Sequence, residues 1–211
     1  MIENLIKPEY KVFIAGATGM VGRAIKKNLA ENNYGLKEYG GCLLTPNRKK
    51  LNLINHDEVS NWFEENKPDL VILAAAKVGG IFANSEYPAD FILENLKIQN
   101  NVIESAFKFK AKRFLFLGSS CIYPKYAQQP IEEESLLSGE LEKTNEWYAI
   151  AKIAGLKLCQ SLRIQYGFDA IALMPTNLYG PADNYDYQNS HVMAALIRKF
   201  VEAKINNFRY V

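Results

Sequence analysis

Five short runs of branched and aromatic apolar residues, each followed by a longer segment with helical spacing, constrain this chain more than any other feature. The runs are KVFIA (11–15), GCLLT (41–45), DLVILAAA (69–76), KRFLFLG (112–118) and DAIALMP (169–175). Between and after them, Met20 to Asn32, Asp57 to Asn66, Ala89 to Lys108, Asn145 to Tyr166 and Asn189 to Ala203 place apolar residues on one helical face. Strands that are apolar throughout suit a parallel sheet covered on both faces. The alternation therefore predicts an α/β fold, a doubly wound parallel sheet of the Rossmann type, with its ligand crevice at the carboxyl ends of the strands. The closing NNFRYV reads as a turn and the beginning of one more strand.

Composition limits what such a domain can do. The 211 residues are 48% hydrophobic, enough for one good core, and no linker or repeat divides them, so residues 1–211 read as one domain. Lys and Arg number 25 against 23 Asp and Glu, a net charge of +2 with no block of one sign, which indicates neither a nucleic-acid nor a membrane partner. The opening MIENLIKPEYKVF lacks the architecture of a signal peptide and no segment is long and apolar enough to span a bilayer, so the expected location is the cytoplasm. Cys42, Cys121 and Cys159 form no CxxC pair, and His56 and His191 are the only histidines; neither a disulfide framework nor a metal site is indicated. His56, at an expected helix start, reads as a surface residue.

The first strand runs into GATGMVG, with Gly16, Gly19 and Gly22 in a G-x-x-G-x-x-G spacing that opens directly into a helix. Such a turn lets the backbone approach a pyrophosphate whose charge rests on the helix N-terminal amides. The second strand ends in TPNRKKLN, with Arg48, Lys49 and Lys50 and no carboxylate before Asp57. Cations there suit a ribose 2′-phosphate, hence NADP over NAD, and they also suit a plain solvated turn.

Tyr148 and Lys152 stand one helical turn apart in NEWYAIAKIAG, on one face of the expected helix. An ammonium beside a phenol favours the phenolate and is expected to lower its pKa toward working pH, making Tyr148 a usable proton donor to a carbonyl oxygen. Ser119, Ser120 and Cys121 follow the fourth strand; in an extended segment Ser119 and Cys121 would share one face. Ser119 could then hold a substrate carbonyl. Cys121 fits either a thiol that removes a proton beside a ketone or a small buried hydrophobe. His191 fits either an acid on the opposite face or a helix-capping surface residue.

These segments together resemble the extended branch of the short-chain dehydrogenase/reductase superfamily, and more closely its GDP-L-fucose synthase family. FIAGATGMVGRAI, LAAAKVGGIFANSEYPADFI, FLGSSCIYPK, TNEWYAIAKIAG and MPTNLYGP with the later NSHV carry the likeness, from about residue 11 to residue 200. The resemblance implies NADPH-dependent 3,5-epimerisation and 4-reduction of GDP-4-keto-6-deoxymannose. In it Ser119, Tyr148 and Lys152 form the reductase triad, Cys121 is the epimerisation base and His191 the acid. It assigns NADP(H) to Gly16, Ala17, Thr18, Gly19, Met20, Val21, Gly22, Arg48, Leu117, Gly118, Ser119, Ser120, Lys152, Pro175, Thr176, Asn177, Leu178 and His191. Asn177 and Lys199 fall at sugar-nucleotide contacts, the latter commonly arginine in the family, whose bidentate fork lysine does not reproduce. It further implies a homodimer through the helices at 89–108 and 145–166, and a substrate lobe largely absent from these 211 residues. Two alternatives remain open: another nucleotide-sugar epimerase or dehydratase of the same branch, and a cofactor-binding fragment without catalysis.

Overall fold

Val12, Phe13, Ile14 and Ala15 of β1 (Lys11–Ala15) are all buried, which places this strand in the middle of the sheet. The computed structural model describes residues 6–187 and 190–211; the first five residues of the N-terminal stretch and the expected helix start at Asn189 lie outside them. Four more strands, β2 (Cys42–Leu44), β3 (Leu70–Leu73), β4 (Arg113–Leu117) and β5 (Ala170–Leu173), pair in parallel in the order β2-β1-β3-β4-β5. The helices are α1 (Met20–Glu31), α2 (His56–Asn66), α3 (Ile81–Glu86), α4 (Pro88–Lys108), α5 (Glu146–Tyr166) and α6 (Val192–Ile205). This is the doubly wound parallel sheet that the alternation predicts.

The two faces of the sheet are covered unequally. On one, Phe13, Val71, Leu73, Phe114 and Phe116 join α2, α4 and α5 in the larger core, where the Phe13 ring meets Trp62 tilted at 4.4 Å and Phe63 edge-to-face at 5.5 Å. On the other, Val12, Ile14, Leu70 and Ile72 meet Ile25 and Leu29 of α1. Coverage on both faces holds for β1 and β3 but fades toward β5, where Ala172 and Leu173 are exposed. The reason is topological: β5 is an edge strand among the described residues, with β4 as its one neighbour.

Local chemistry explains the helix ends. Asn55 caps α2 by accepting from the Asp57 and Glu58 amides at 3.0 and 3.2 Å, so the helix starts at His56, one residue before the expected position. Pro88 opens α4, and Gly167, at φ +69°, ends α5. The six-residue α3 is not anticipated by the sequence reading, because a helix this short shows no periodicity. The strand expected within NNFRYV does not form: a turn at 206–207 is followed by residues with no ladder partner, and a strand needs a hydrogen-bonded neighbour.

Helices α4 and α5 pack against each other, and Gly155 lets α5 sit close to α4 and β4. A Cβ there would lie 2.6 Å from the Phe116 ring and 2.8 Å from Gln99 Oε1. Alanine in a helix gains about 1 kcal/mol over glycine, whereas overpacking a tight core costs about 1–3 kcal/mol. Gly155→Ala is therefore expected to lower the unfolding free energy in a urea titration; a stabilised variant would show that the seat is loose.

Candidate active site

The strand order places the turns after β1 and β3 side by side while the chain leaves them for opposite edges of the sheet. A crevice of about 930 Å³ opens there, in the size range of a bound cofactor or substrate. Its floor is the glycine turn. Gly16 has φ +87°, and a Cβ on it would stand 2.7 Å from the Ala75 backbone nitrogen, while a Cβ on Gly22 would stand 2.1 Å from the Gly16 carbonyl oxygen. Gly19 differs, since a Cβ there meets nothing nearer than 3.5 Å, yet it lines the crevice. Gly19 begins α1 with no side-chain cap and no acidic residue in the first turn, leaving the helix N-terminal amides available to an anion.

The crevice walls gather most of the residues singled out from the sequence. Gly16, Thr18, Gly19, Met20, Val21 and Gly22 line it below, Arg48 at one end, and Leu117, Gly118, Ser119, Tyr148 and Lys152 at the other. Pro175, Thr176, Asn177, Leu178 and His191 close that second end. Arg48 is exposed within a turn that Asn47 stabilises by accepting from the Lys49 and Lys50 amides. Ala17 is buried in the sheet core beneath the turn, and Ser120 and Cys121, both half-buried, adjoin the lining residue Ser119 without being among the residues that line the crevice. Lys199 is exposed on α6 and is not among the residues that line the crevice.

Around Ser119 the geometry is tighter than the sequence implies. The segment does not stay extended, since Ser120–Ile122 turns into one turn of 3-10 helix. Ser119 and Cys121 nevertheless meet, because that turn brings the Cys121 thiol to donate to Ser119 Oγ at 3.2 Å. Lys152, only 4% exposed, donates from Nζ to the Leu117 carbonyl at 2.8 Å and lies 4.9 and 5.7 Å from the Phe116 and Tyr148 ring centroids. Helix α5 is thereby pinned to the end of β4.

Burial dominates the ionisation of this cluster. It pushes the Lys152 ammonium down to about 8, with the nearby Cys121 sulfur acting in the opposite direction. Tyr148 is raised above its ordinary range, first by burial and then by the Cys121 charge, against a hydrogen bond with Ser119. The expected lowering of the phenol by the ammonium is thus not found; Tyr148 is held as a neutral phenol. Burial also raises Cys121, while the Ser119 hydrogen bond and the Lys152 charge pull it back.

Several residues at the crevice escaped the sequence reading. Ala74, Ala75 and Ala76 bring the backbone after β3 close to the glycine turn, and Lys77 beyond them pairs with Glu94 at 2.6 Å and Asp90 at 3.1 Å. Asn95 accepts from the Lys77 amide at 2.9 Å and donates to its carbonyl at 3.0 Å, fixing that wall to α4. These amides, Asn95, Gln99 and Asn101, are buried on a helix whose other buried residues are mostly apolar. Beside Lys199, Arg198 fastens the segment before α6 by donating to the Tyr185 carbonyl and stacking 3.8 Å from the Tyr187 ring.

Comparison with known proteins agrees with this geometry. The profile of the NAD dependent epimerase/dehydratase family matches residues 12–210. The chain belongs to that family. GDP-L-fucose synthase 1 of Arabidopsis thaliana is 57% identical over 205 residues, which are 97% of this chain and 62% of that protein. GDP-L-fucose synthase of Escherichia coli (strain K12) is 53% identical over 93% of this chain and 60% of its own length. Among solved structures, a GDP-D-glycero-L-gluco-heptose synthase from Campylobacter jejuni, determined in the presence of NADPH, superposes with a TM-score of 0.87 at 40% identity, over 95% of this chain and 57% of that one. A GDP-L-fucose synthetase from Naegleria fowleri bound to NADP gives 0.84 at 28% identity, over 98% and 66%. The chain spans about three fifths of the length of the curated relatives named here. Among the described residues no helix is long and apolar enough to cross a membrane.

The buried ammonium sets a pH dependence of stability. The unfolded chain keeps the Lys152 proton up to 10.5 and the folded chain releases it near 8, so the wild type gains stability as pH rises through that window. Lys152→Met removes the buried charge and is expected to be more stable than wild type at pH 7 by about 2 kcal/mol, after loss of one hydrogen bond. That advantage should shrink from pH 8 upward. Urea unfolding of both proteins at pH 7 and 9.5 checks it, and an unchanged difference would contradict the burial effect.

Proposed function

We propose that this chain is the cofactor-binding and catalytic part of an NADPH-dependent 3,5-epimerase and 4-reductase that converts GDP-4-keto-6-deoxymannose to GDP-L-fucose. The observation that carries the reading is the meeting of Ser119, Cys121, Tyr148 and Lys152 at the end of β4, beside the glycine turn. The names of the relatives support the same substrate class.

The crevice fits a 2′-phosphorylated dinucleotide. Gly19 leaves room where a side chain would intrude, the uncapped start of α1 offers amides to a pyrophosphate, and Arg48 stands exposed at the far end. NADPH bound there would supply the hydride that reduces the C4 ketone.

The chain's own groups then divide the proton work. The C4 carbonyl acidifies the protons on C3 and C5; Cys121, as thiolate, removes them, and His191, from the crevice wall, returns a proton to each carbon to invert it. Because burial raises the thiol, its deprotonation relies on the Ser119 hydrogen bond and the Lys152 charge, which both act downward. Tyr148 donates a proton to the C4 oxygen as that carbon is reduced. Lys152 holds the end of β4 in place through Leu117 and supplies positive charge to the site. Residues 1–211 act in this reading as one NADP-binding unit in the cytoplasm. A homodimer would cover Leu93 of α4 and Trp147 and Ile150 of α5, which are exposed.

A second reading, cofactor binding without turnover, is favoured by the share of the relatives that the chain spans and by the apolar side of α6. There Val192, Met193, Leu196, Ile197, Phe200 and Val201 are all exposed. A 4,6-dehydratase is less well supported, since SSCIYPK places no acid after Ser119.

Incubation with GDP-4-keto-6-deoxymannose and NADPH in heavy water separates these. The expected result is NADPH oxidation with deuterium at C3 and C5 of the product. Tyr148→Phe should keep the labelling while slowing NADPH oxidation at least about a hundredfold, and Cys121→Ser should lose the labelling. NADPH binding without exchange or oxidation would favour the second reading.

A further inference from the structure

Helix α4 buries three carboxamides, Asn95, Gln99 and Asn101, at 2, 3 and 8% exposure. A buried amide costs stability unless its polar atoms are paired, so the partners of each show what the fold uses it for. Gln99 donates to the Ala151 carbonyl of α5 at 2.6 Å. Two residues further on, a helix has turned by about 200°. Asn101 accordingly faces the other way, and its Nδ2 donates to the carbonyls of Leu53 at 2.9 Å and Ile54 at 3.1 Å.

Leu53 and Ile54 belong to the segment that joins β2 to α2 and, with Leu51 and Asn52, wall the end of the crevice where Arg48 stands. The segment's other side-chain hydrogen bonds are local. Asn47 holds the Arg48 turn, and Glu58 accepts from the Asn52 amide at 3.1 Å and from Asn55 at 3.0 Å. Since β2 is only three residues long, the strand itself gives this loop a short anchor. Among the described residues, the side-chain hydrogen bonds that tie the loop to α4 come from Asn101.

We propose that Asn101 is a positioning residue for the adenosine end of the bound dinucleotide, acting through the Leu53 and Ile54 carbonyls that it holds. By fixing this wall against α4, it sets the span between Arg48 and the glycine turn, across which a 2′-phosphoadenosine must reach. The inference rests on the NADPH reading above.

Adenosine 2′,5′-bisphosphate tests it without requiring turnover, because this compound carries the adenosine end alone. Titration calorimetry on the 211-residue chain compares wild type, Asn101→Leu, which keeps the volume but removes the donor, and Ser105→Ala, which deletes a buried polar group elsewhere on α4. Asn101→Leu is expected to bind the bisphosphate about tenfold more weakly, with Ser105→Ala unchanged. Asn101→Ala should show the same loss and serves if the leucine variant does not fold. Wild-type affinity in the Asn101 variants, or equal weakening in the Ser105 variant, would overturn the positioning role. A wild-type chain that binds neither the bisphosphate nor NADPH would instead overturn the cofactor reading, and this inference with it.

Discussion

The arrangement of this molecule depends on one steric constraint, the near contact between the turn that leaves β1 and the turn that leaves β3. With Gly16 at φ +87° and the Ala75 backbone where a Cβ would stand, the two turns pass each other with no side chain between them. Because β1 and β3 are parallel neighbours whose connections run to opposite edges, the space above this contact cannot be filled by either loop. The glycine turn, the end of β4 and the loop after β2 all open onto that space. A side chain at Gly16 or Gly22 would therefore disturb the scaffold before it disturbed any ligand.

The charged part of the site is maintained against the tendency of the fold. Lys152 is an ammonium on the buried face of α5, held by one carbonyl and two aromatic rings, and burial alone pushes it toward neutrality. The same burial raises Tyr148 and Cys121, so the resting cluster favours a neutral phenol and a neutral thiol beside a reluctant cation. In the proposed mechanism, proton donation by Tyr148 would suit that state directly, whereas proton removal by Cys121 would require Ser119 and Lys152 to work against desolvation, a conflict usual where function is bought at some expense of stability.

Helix α4 connects the parts. Its amides reach the wall after β3 through Asn95, helix α5 through Gln99 and the loop after β2 through Asn101. In the sequence those amides are three polar residues among many on an amphipathic helix, and nothing local marks them as buried. Nor did the sequence show these partners, which lie at least 18 residues away along the chain. Cys121 gives a similar lesson. Its meeting with Ser119 was anticipated from the alternation of an extended strand, whereas a 3-10 turn produces it, a difference of local backbone that three polar residues and a proline do not reveal by periodicity.

The sequence by itself determined the five strands and the five longer helices, because burial on both faces makes a strand a short continuous apolar run and burial on one face gives a helix a period of about 3.6. It also determined the residue types of the site, since a glycine turn before a helix and a tyrosine one turn from a lysine are local patterns. Tertiary structure decided what these patterns do together. Only packing shows that β5 is an edge among the described residues with its carboxyl end exposed, that Lys199 is not among the crevice residues while Arg198 fastens the neighbouring segment, and that burial raises rather than lowers the Tyr148 phenol. Desolvation and edge exposure are properties of the whole assembly of elements, and no window of sequence contains them.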